Sequence, residues 1–267
     1  MHDVRPLRIC IAAVVVLSLM ACGGNSNDTA RDCNLEIFAA SSLSSALTVV
    51  TDELRTETGC DITFKFGSSG SLAASIDAGA TPDLFISSGT TSVTASGLDV
   101  STSRALVDSS LAIILRKDSA AAGEVRAITS LLEKKWKLGL CATTAPCGEL
   151  ADAVLANAAD VFGMDSDFSR EALADTEAIN ATDLLTKVQM GELDIVLGYA
   201  SSCTMNSDLQ CILIPEIVDG RRLGEKTTYF ATPISDSDQI TRLLAYVTSL
   251  TFSQRLVDDF GFEALKS

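Results

Sequence analysis

The chain has 267 residues, 47% of them hydrophobic and only 5% aromatic, with a formal net charge of −15. This length and composition leave room for one large or two medium globular α/β domains and exclude a disordered chain. The acidic balance excludes nucleic acid as a partner, because no basic patch of useful size exists to displace counterions from phosphates. An anion, if bound, has to be held by local neutral donors against an unfavourable long-range field.

Residues 1–21 read as an export signal. Arg5 and Arg8 form a short basic region, Ile9 to Leu19 an apolar one, and Leu19-Met20-Ala21-Cys22 a lipobox. The apolar run is several residues short of the roughly 20 that span a bilayer, so a lipid on Cys22 is expected rather than a transmembrane anchor. Residues 22–32, rich in Gly, Asn, Ser and Asp, form a flexible tether. The protein is therefore expected to be exported and lipid-anchored on the extracytoplasmic side of the membrane.

Export governs how the cysteines read. Cys10 leaves with the signal and Cys22 carries lipid, so Cys33, Cys60, Cys141, Cys147, Cys203 and Cys211 remain. An even set outside the cytosol points to disulfides rather than to metal ligands. Cys33 and Cys60 each stand just before an expected strand, and adjacent parallel strands start side by side. Cys141 with Cys147, and Cys203 with Cys211, bracket short loops. The expected pairs are Cys33–Cys60, Cys141–Cys147 and Cys203–Cys211. The only histidine, His2, goes with the signal. That removes a Ser-His-Asp triad and histidine metal sites, and G-S-S-G-S lacks the G-x-S-x-G elbow. A secreted serine hydrolase using Ser69 or Ser71 is accordingly disfavoured, and no cofactor or cation site is expected.

In chain order, Leu35 to Ala40 is a strand. A helix runs from about Ser42 to Glu57, with Leu43, Leu47, Val50 and Leu54 on one face and Gly59 as the stop. Asp61 to Phe66 is a second strand, Ser71 to Ala78 a short helix, and Asp83 to Ser87 a third strand after Pro82. This alternation predicts a parallel sheet whose ligand sits at the carboxyl ends of the strands. Two serine junctions fall there: Ser41-Ser42-Leu43, and Phe66-Gly67-Ser68-Ser69-Gly70-Ser71-Leu72. Each places unbonded N–H donors and the positive end of a helix dipole at one point, which suits an anion. Ordinary capping is the alternative for either alone, and the repetition favours the anion.

Leu106 to Lys117 is a long strand leaving this unit. A second unit follows: strand Lys137 to Cys141, turn Thr143 to Gly148, and a helix from about Glu149 to Val161. Ala178 to Ala181 leads into a helix over Thr182 to Met190, then strands over Asp194 to Tyr199 and Cys211 to Pro215. Thr227 to Ile234 is a second long strand, and an amphipathic helix over Asp238 to Phe260 closes the chain. Two α/β units joined by two long strands fit a two-lobed clamp with a cleft, or equally a single larger α/β domain.

Six segments in order carry a family resemblance: F-A-A-S-S-L (Phe38 to Leu43), F-G-S-S-G-S-L (Phe66 to Leu72), G-A-T-P-D-L-F-I-S (Gly79 to Ser87), A-P-C-G (Ala145 to Gly148), G-E-L-D-I-V-L-G-Y-A (Gly191 to Ala200) and L-V-D-D-F-G-F (Leu256 to Phe262). Together they resemble the molybdate-binding proteins that serve bacterial ABC importers, within the two-lobed type II periplasmic binding proteins. The resemblance spans Leu35 to Phe262. It implies an α/β fold of two lobes, each a mainly parallel sheet flanked by helices, joined by two hinge strands. Lobe I would comprise 33–112 and 230–267, and lobe II 113–229. It further implies a monomeric, non-enzymatic receptor that holds molybdate, or tungstate, and delivers it to a membrane permease.

In that family two serines of the first lobe, backbone N–H groups at two helix starts of the second, and a tyrosine hydroxyl hold the oxyanion. By motif position these fall on Ser42, Ser69, Cys147, Ala181 and Tyr199, with Ser41 and Ser68 as neighbours. Cys147 stands where the family usually has a small apolar residue, which a backbone contact tolerates. After Phe85-Ile86-Ser87, Ser88-Gly89-Thr90 replaces the family's acidic continuation, and sequence attaches no role to it. Molybdate and tungstate carry no proton at neutral pH, so their site needs donors and no acceptor. Monohydrogen phosphate would reward a facing carboxylate, for which Asp83 and Asp183 are the nearest in sequence. The same clamp for sulfate or phosphate is the alternative reading.

Overall fold

Short apolar strands alternate with capped helices through both halves of the chain. The computed structural model describes residues 33–164 and 167–265. The expected signal segment, the expected lipidation site Cys22 and the expected tether lie outside the described residues. The first half carries β1 (Asn34–Ala40), a 3-10 turn at Ser41–Leu43, α1 (Ser44–Val49), α2 (Thr51–Thr58), β2 (Asp61–Gly67), α3 (Ser69–Asp77), β3 (Leu84–Ser88) and α4 (Thr91–Ala95). The long strand β4 (Arg104–Arg116) leads to α5 (Ala120–Glu124), β5 (Leu138–Cys141), α6 (Pro146–Phe162), α7 (Arg170–Leu173), β6 (Thr176–Ala178), α8 (Ala181–Gln189), β7 (Ile195–Tyr199) and β8 (Leu209–Leu213). A small hairpin, β9 (Ile217–Val218) and β10 (Arg221–Arg222), precedes the return strand β11 (Lys226–Pro233). Helices α9 (Asp238–Val247) and α10 (Leu250–Phe260) follow it.

Nine strands form one mixed sheet in the order β2-β1-β3-β11-β4-β7-β5-β6, with β8 also on β4. β1 is parallel to β2 and β3, and β5 is parallel to β6 and β7. β4 changes partners along its length: Arg104 to Ser110 faces β11, and Leu111 to Ile114 faces β7. The fold is thus α/β and two-lobed, each lobe a mainly parallel sheet with flanking helices, with β4 and β11 running between them. Successive residues of the strands are buried on opposite faces, as expected for sheets covered on both sides. Ile37, Leu84 and Ile86 join the core beneath α1, α2, α9 and α10, whereas Phe38 and Phe85 pack with Leu72, Ile76 and Val93. No helix among the described residues is long and apolar enough to cross a membrane.

Several boundaries differ from the sequence reading, each for a local reason. The helix expected over Ser42 to Glu57 is broken at Val50, where the Thr51 hydroxyl donates to Leu47 O (2.9 Å) and Thr48 O (2.8 Å) and bends the chain. The single closing helix is two, because the Ser249 hydroxyl accepts the Phe252 N–H at 3.2 Å and starts a fresh helix. α3 begins at Ser69 rather than Ser71, capped by Ser68, whose hydroxyl accepts the Ser71 N–H. α6 begins at Pro146 rather than Glu149, since proline has no N–H to lose at a first helical position. The last two shifts move Ser69 and Cys147 into first turns.

Cys33–Cys60, Cys141–Cys147 and Cys203–Cys211 are disulfide-bonded. The first joins the starts of the neighbouring parallel strands β1 and β2, where Asn34 pairs with Asp61. The second ties the end of β5 to the first turn of α6.

Candidate functional site

Ser42, Ser69, Cys147, Ala181 and Tyr199 all line one cavity between the lobes, and Ser88 lines it too. About 210 Å³ there is free of protein atoms, part of it open to solvent. Three helices start at its wall: α3 with Ser69, α6 with Pro146 and Cys147, and α8 with Ala181. The N–H groups of Cys147 and Ala181 lie in first turns, where no carbonyl one turn earlier in the helix can accept them. Their dipoles bring partial positive charge without any cationic side chain. None of the residues lining the cavity is charged.

The hydroxyls are held from behind. Ser69 Oγ accepts the Ser88 N–H at 3.0 Å, so its own proton is left for another acceptor. Ser42 Oγ lies 2.8 Å from the hydroxyl of Tyr229, a fully buried residue of β11. Tyr199 Oη lies 3.0 Å from Ser88 Oγ at the carboxyl end of β3. Burial pushes the Tyr199 phenol up to about 12, against the pull of its Ser88 hydrogen bond and with a further push from the Glu149 charge. Burial and the neighbouring Tyr199 likewise raise Tyr229 well above its ordinary value. Both phenols therefore stay protonated, and so able to donate, throughout the physiological range.

A pH profile follows. The donating form of Tyr199 is the protonated one, present below its raised value and lost above it. Affinity for a fully deprotonated oxyanion is expected to stay level through neutral and mildly alkaline pH, and to fall only as pH approaches 12. Calorimetric titration at stepped pH checks this; a fall centred on the ordinary phenol value near 10 would show Tyr199 in contact with water.

The two nearby carboxylates face elsewhere. Asp83 accepts the Glu36 N–H (2.8 Å) and the Ser235 hydroxyl (2.8 Å) at the far end of β3. Asp183 accepts the Ile179 N–H at 3.2 Å and lies 3.8 Å from Lys187. Neither lines the cavity, so no carboxylate is placed to receive a ligand's proton.

Contacts also bridge the cleft directly. The Thr182 hydroxyl of α8 donates to Ser41 O at 3.1 Å, and Gly70 lies against the backbone of Thr144. Sequence reasoning missed three supporting residues. Ser88 and Tyr229 brace the hydroxyls. Arg170 donates to Cys141 O (2.8 Å) and Gly148 O (3.3 Å) while paired with Asp152 and Glu177. It clamps the back of the loop that carries Cys147. Only the departure at Ser88-Gly89-Thr90 offered a signal for any of them. No group of acidic, cysteine or histidine side chains among the described residues is arranged to hold a metal cation.

The profile of the bacterial extracellular solute-binding protein family matches residues 35–263. The chain belongs to that family. It is 26% identical over 268 residues to the molybdate-binding protein ModA of Mycobacterium tuberculosis, covering 94% of this chain and 95% of the relative. Among solved structures, the periplasmic molybdate-binding protein of Azotobacter vinelandii superposes with a TM-score of 0.69 at 14% identity, covering 87% of this chain and 100% of that one. The sulfate-binding protein SubI of Mycobacterium tuberculosis superposes with a TM-score of 0.72 at 12% identity, with 88% of each chain covered. At those identities the two structures establish the shared fold alone. The chain is an extracytoplasmic solute-binding protein, and not an enzyme.

Proposed function

We propose that this protein captures molybdate, and tungstate with it, between its lobes and delivers the ion to the membrane permease of an ABC importer. The observation that carries the reading is a cavity between the lobes offering hydroxyl and backbone donors at three helix starts, with no charged residue in its lining. Such a set fits a tetrahedral dianion that bears no proton and offers no carboxylate to the proton of one that does. In this reading Ser42, Ser69 and Tyr199 donate side-chain hydrogen bonds, and Cys147 and Ala181 donate backbone N–H bonds. Residues 33–112 with 230–267 form lobe I, and 113–229 form lobe II. A lipid on Cys22 keeps the monomeric receptor beside its permease.

Sulfate is the second reading, because it also carries no proton and the fold is shared with a sulfate-binding protein. Pocket size alone would separate the two ions, and discrimination by size is worth about ten- to hundredfold. Calorimetric titration of molybdate, tungstate, sulfate and phosphate decides. The first two are expected to bind at least about tenfold more tightly than sulfate, with phosphate weakest. Equal affinity for sulfate and molybdate would overturn the choice of ion.

A further inference from the structure

Ser88 touches two of the proposed ligand hydroxyls by different atoms. Its N–H donates to Ser69 Oγ at 3.0 Å, and its own hydroxyl shares a 3.0 Å hydrogen bond with Tyr199 in which either oxygen can donate. The same hydroxyl reaches Thr227 Oγ1 on β11, to which it donates at 3.1 Å. The turn after it fixes this placement. Gly89 adopts a φ of 78°, its N–H donates to Thr228 O at 2.9 Å, and the Ser87 hydroxyl donates to Gly89 O at 2.9 Å. Any other residue in place of Gly89 would strain this left-handed backbone.

We propose that Ser88 is a positioning and specificity-determining residue that fixes the polarity of the pocket, making Tyr199 and Ser69 donors and competing with a protonated ligand for their oxygens. A hydroxyl carries one proton. Once Tyr199 spends its proton on a bound oxyanion, its oxygen can only accept, and the Ser88 hydroxyl is the donor beside it. The Ser88 proton then turns from Thr227 to Tyr199 and takes up a lone pair of its oxygen. The Ser88 N–H takes one of the two lone pairs of Ser69 Oγ in the same way. A ligand with only acceptors meets both protons, whereas the proton of monohydrogen phosphate has to compete with Ser88 for the lone pairs of these two oxygens. This inference rests on the oxyanion reading above and names what enforces its selectivity.

The test pairs two variants with two anions. Ser88→Ala removes the hydroxyl and keeps the N–H to Ser69. It is expected to weaken molybdate about 2- to 13-fold, the range for one lost neutral hydrogen bond, while phosphate binding holds or tightens because a lone pair of the Tyr199 oxygen is freed to accept. Thr227→Val removes the competing acceptor, and molybdate affinity is expected to hold or rise. Calorimetry and phosphate competition give both numbers, and thermal melting confirms that each variant is folded. A purely structural role predicts that both variants weaken both anions in parallel, and that result, or an unchanged molybdate-to-phosphate ratio in Ser88→Ala, overturns the proposal. Failure of the unmodified protein to bind molybdate, tungstate and sulfate alike overturns the oxyanion reading itself and the Ser88 role with it.

Discussion

Gly70→Ala is expected to weaken molybdate binding about 10- to 100-fold while leaving the melting temperature unchanged or slightly raised. Gly70 is the second residue of α3, and a Cβ built there would lie 2.4 Å from Thr144 O on the opposite side of the cleft. That distance is far inside van der Waals contact, and the obstacle is backbone, which cannot rotate away. Within its own lobe the substitution is benign: alanine is the better helix former by roughly 0.5–1 kcal/mol. The clash exists only when the lobes meet, so its cost of about 1–3 kcal/mol falls on closure rather than on folding. Calorimetry with melting curves separates the two. Unchanged affinity would mean that the lobes do not approach this closely around the ion. A large drop in melting temperature would make Gly70 a folding residue instead.

The double variant Ser42→Ala with Ser69→Ala is expected to lose more, at least about a hundredfold in affinity. A hydrogen bond to a charged group contributes about 1.5–3 kcal/mol, and two are removed from one dianion. This variant should also lose some stability, unlike Gly70→Ala. Deleting Ser69 Oγ leaves the Ser88 N–H without its acceptor, and deleting Ser42 Oγ takes one of two hydroxyl partners, the other being Ser88, from the buried Tyr229. The orphaned N–H alone costs about 1–3 kcal/mol, so the melting temperature falls as well. Molybdate and sulfate affinities are expected to drop together, because in the proposed site every tetrahedral dianion meets the same two donors. Retention of molybdate binding within about threefold, well under the worth of one such bond, would place the ion elsewhere.

The serine junctions were legible because they are local: a strand end, a small-residue turn and a helix start occupy six or seven consecutive residues. The parallel strands were legible through their apolar runs, and with them the Cys33–Cys60 bridge across two neighbouring strand starts. The breaks at Val50 and Ser249 were not. Both depend on which way one hydroxyl turns: Thr51 back onto Leu47 O and Thr48 O, and Ser249 onto the Phe252 N–H. An apolar period continues unbroken across each. Nor could Tyr229 be found from sequence. It comes from a strand 187 residues beyond Ser42 and faces that serine only because β11 lies antiparallel beside β3. The two carboxylates that cast doubt on a donor-only site were near in sequence but aimed at backbone N–H groups elsewhere.

Cys147 belongs at once to the cavity wall and to the bridge with Cys141. In the proposed site, the wall that carries Cys147 is therefore completed by an oxidation step as well as by folding. Without that bridge, Arg170, the backbone bonds of Gly148 and Glu149 onto Ala145 O, and packing are left to hold the first turn of α6.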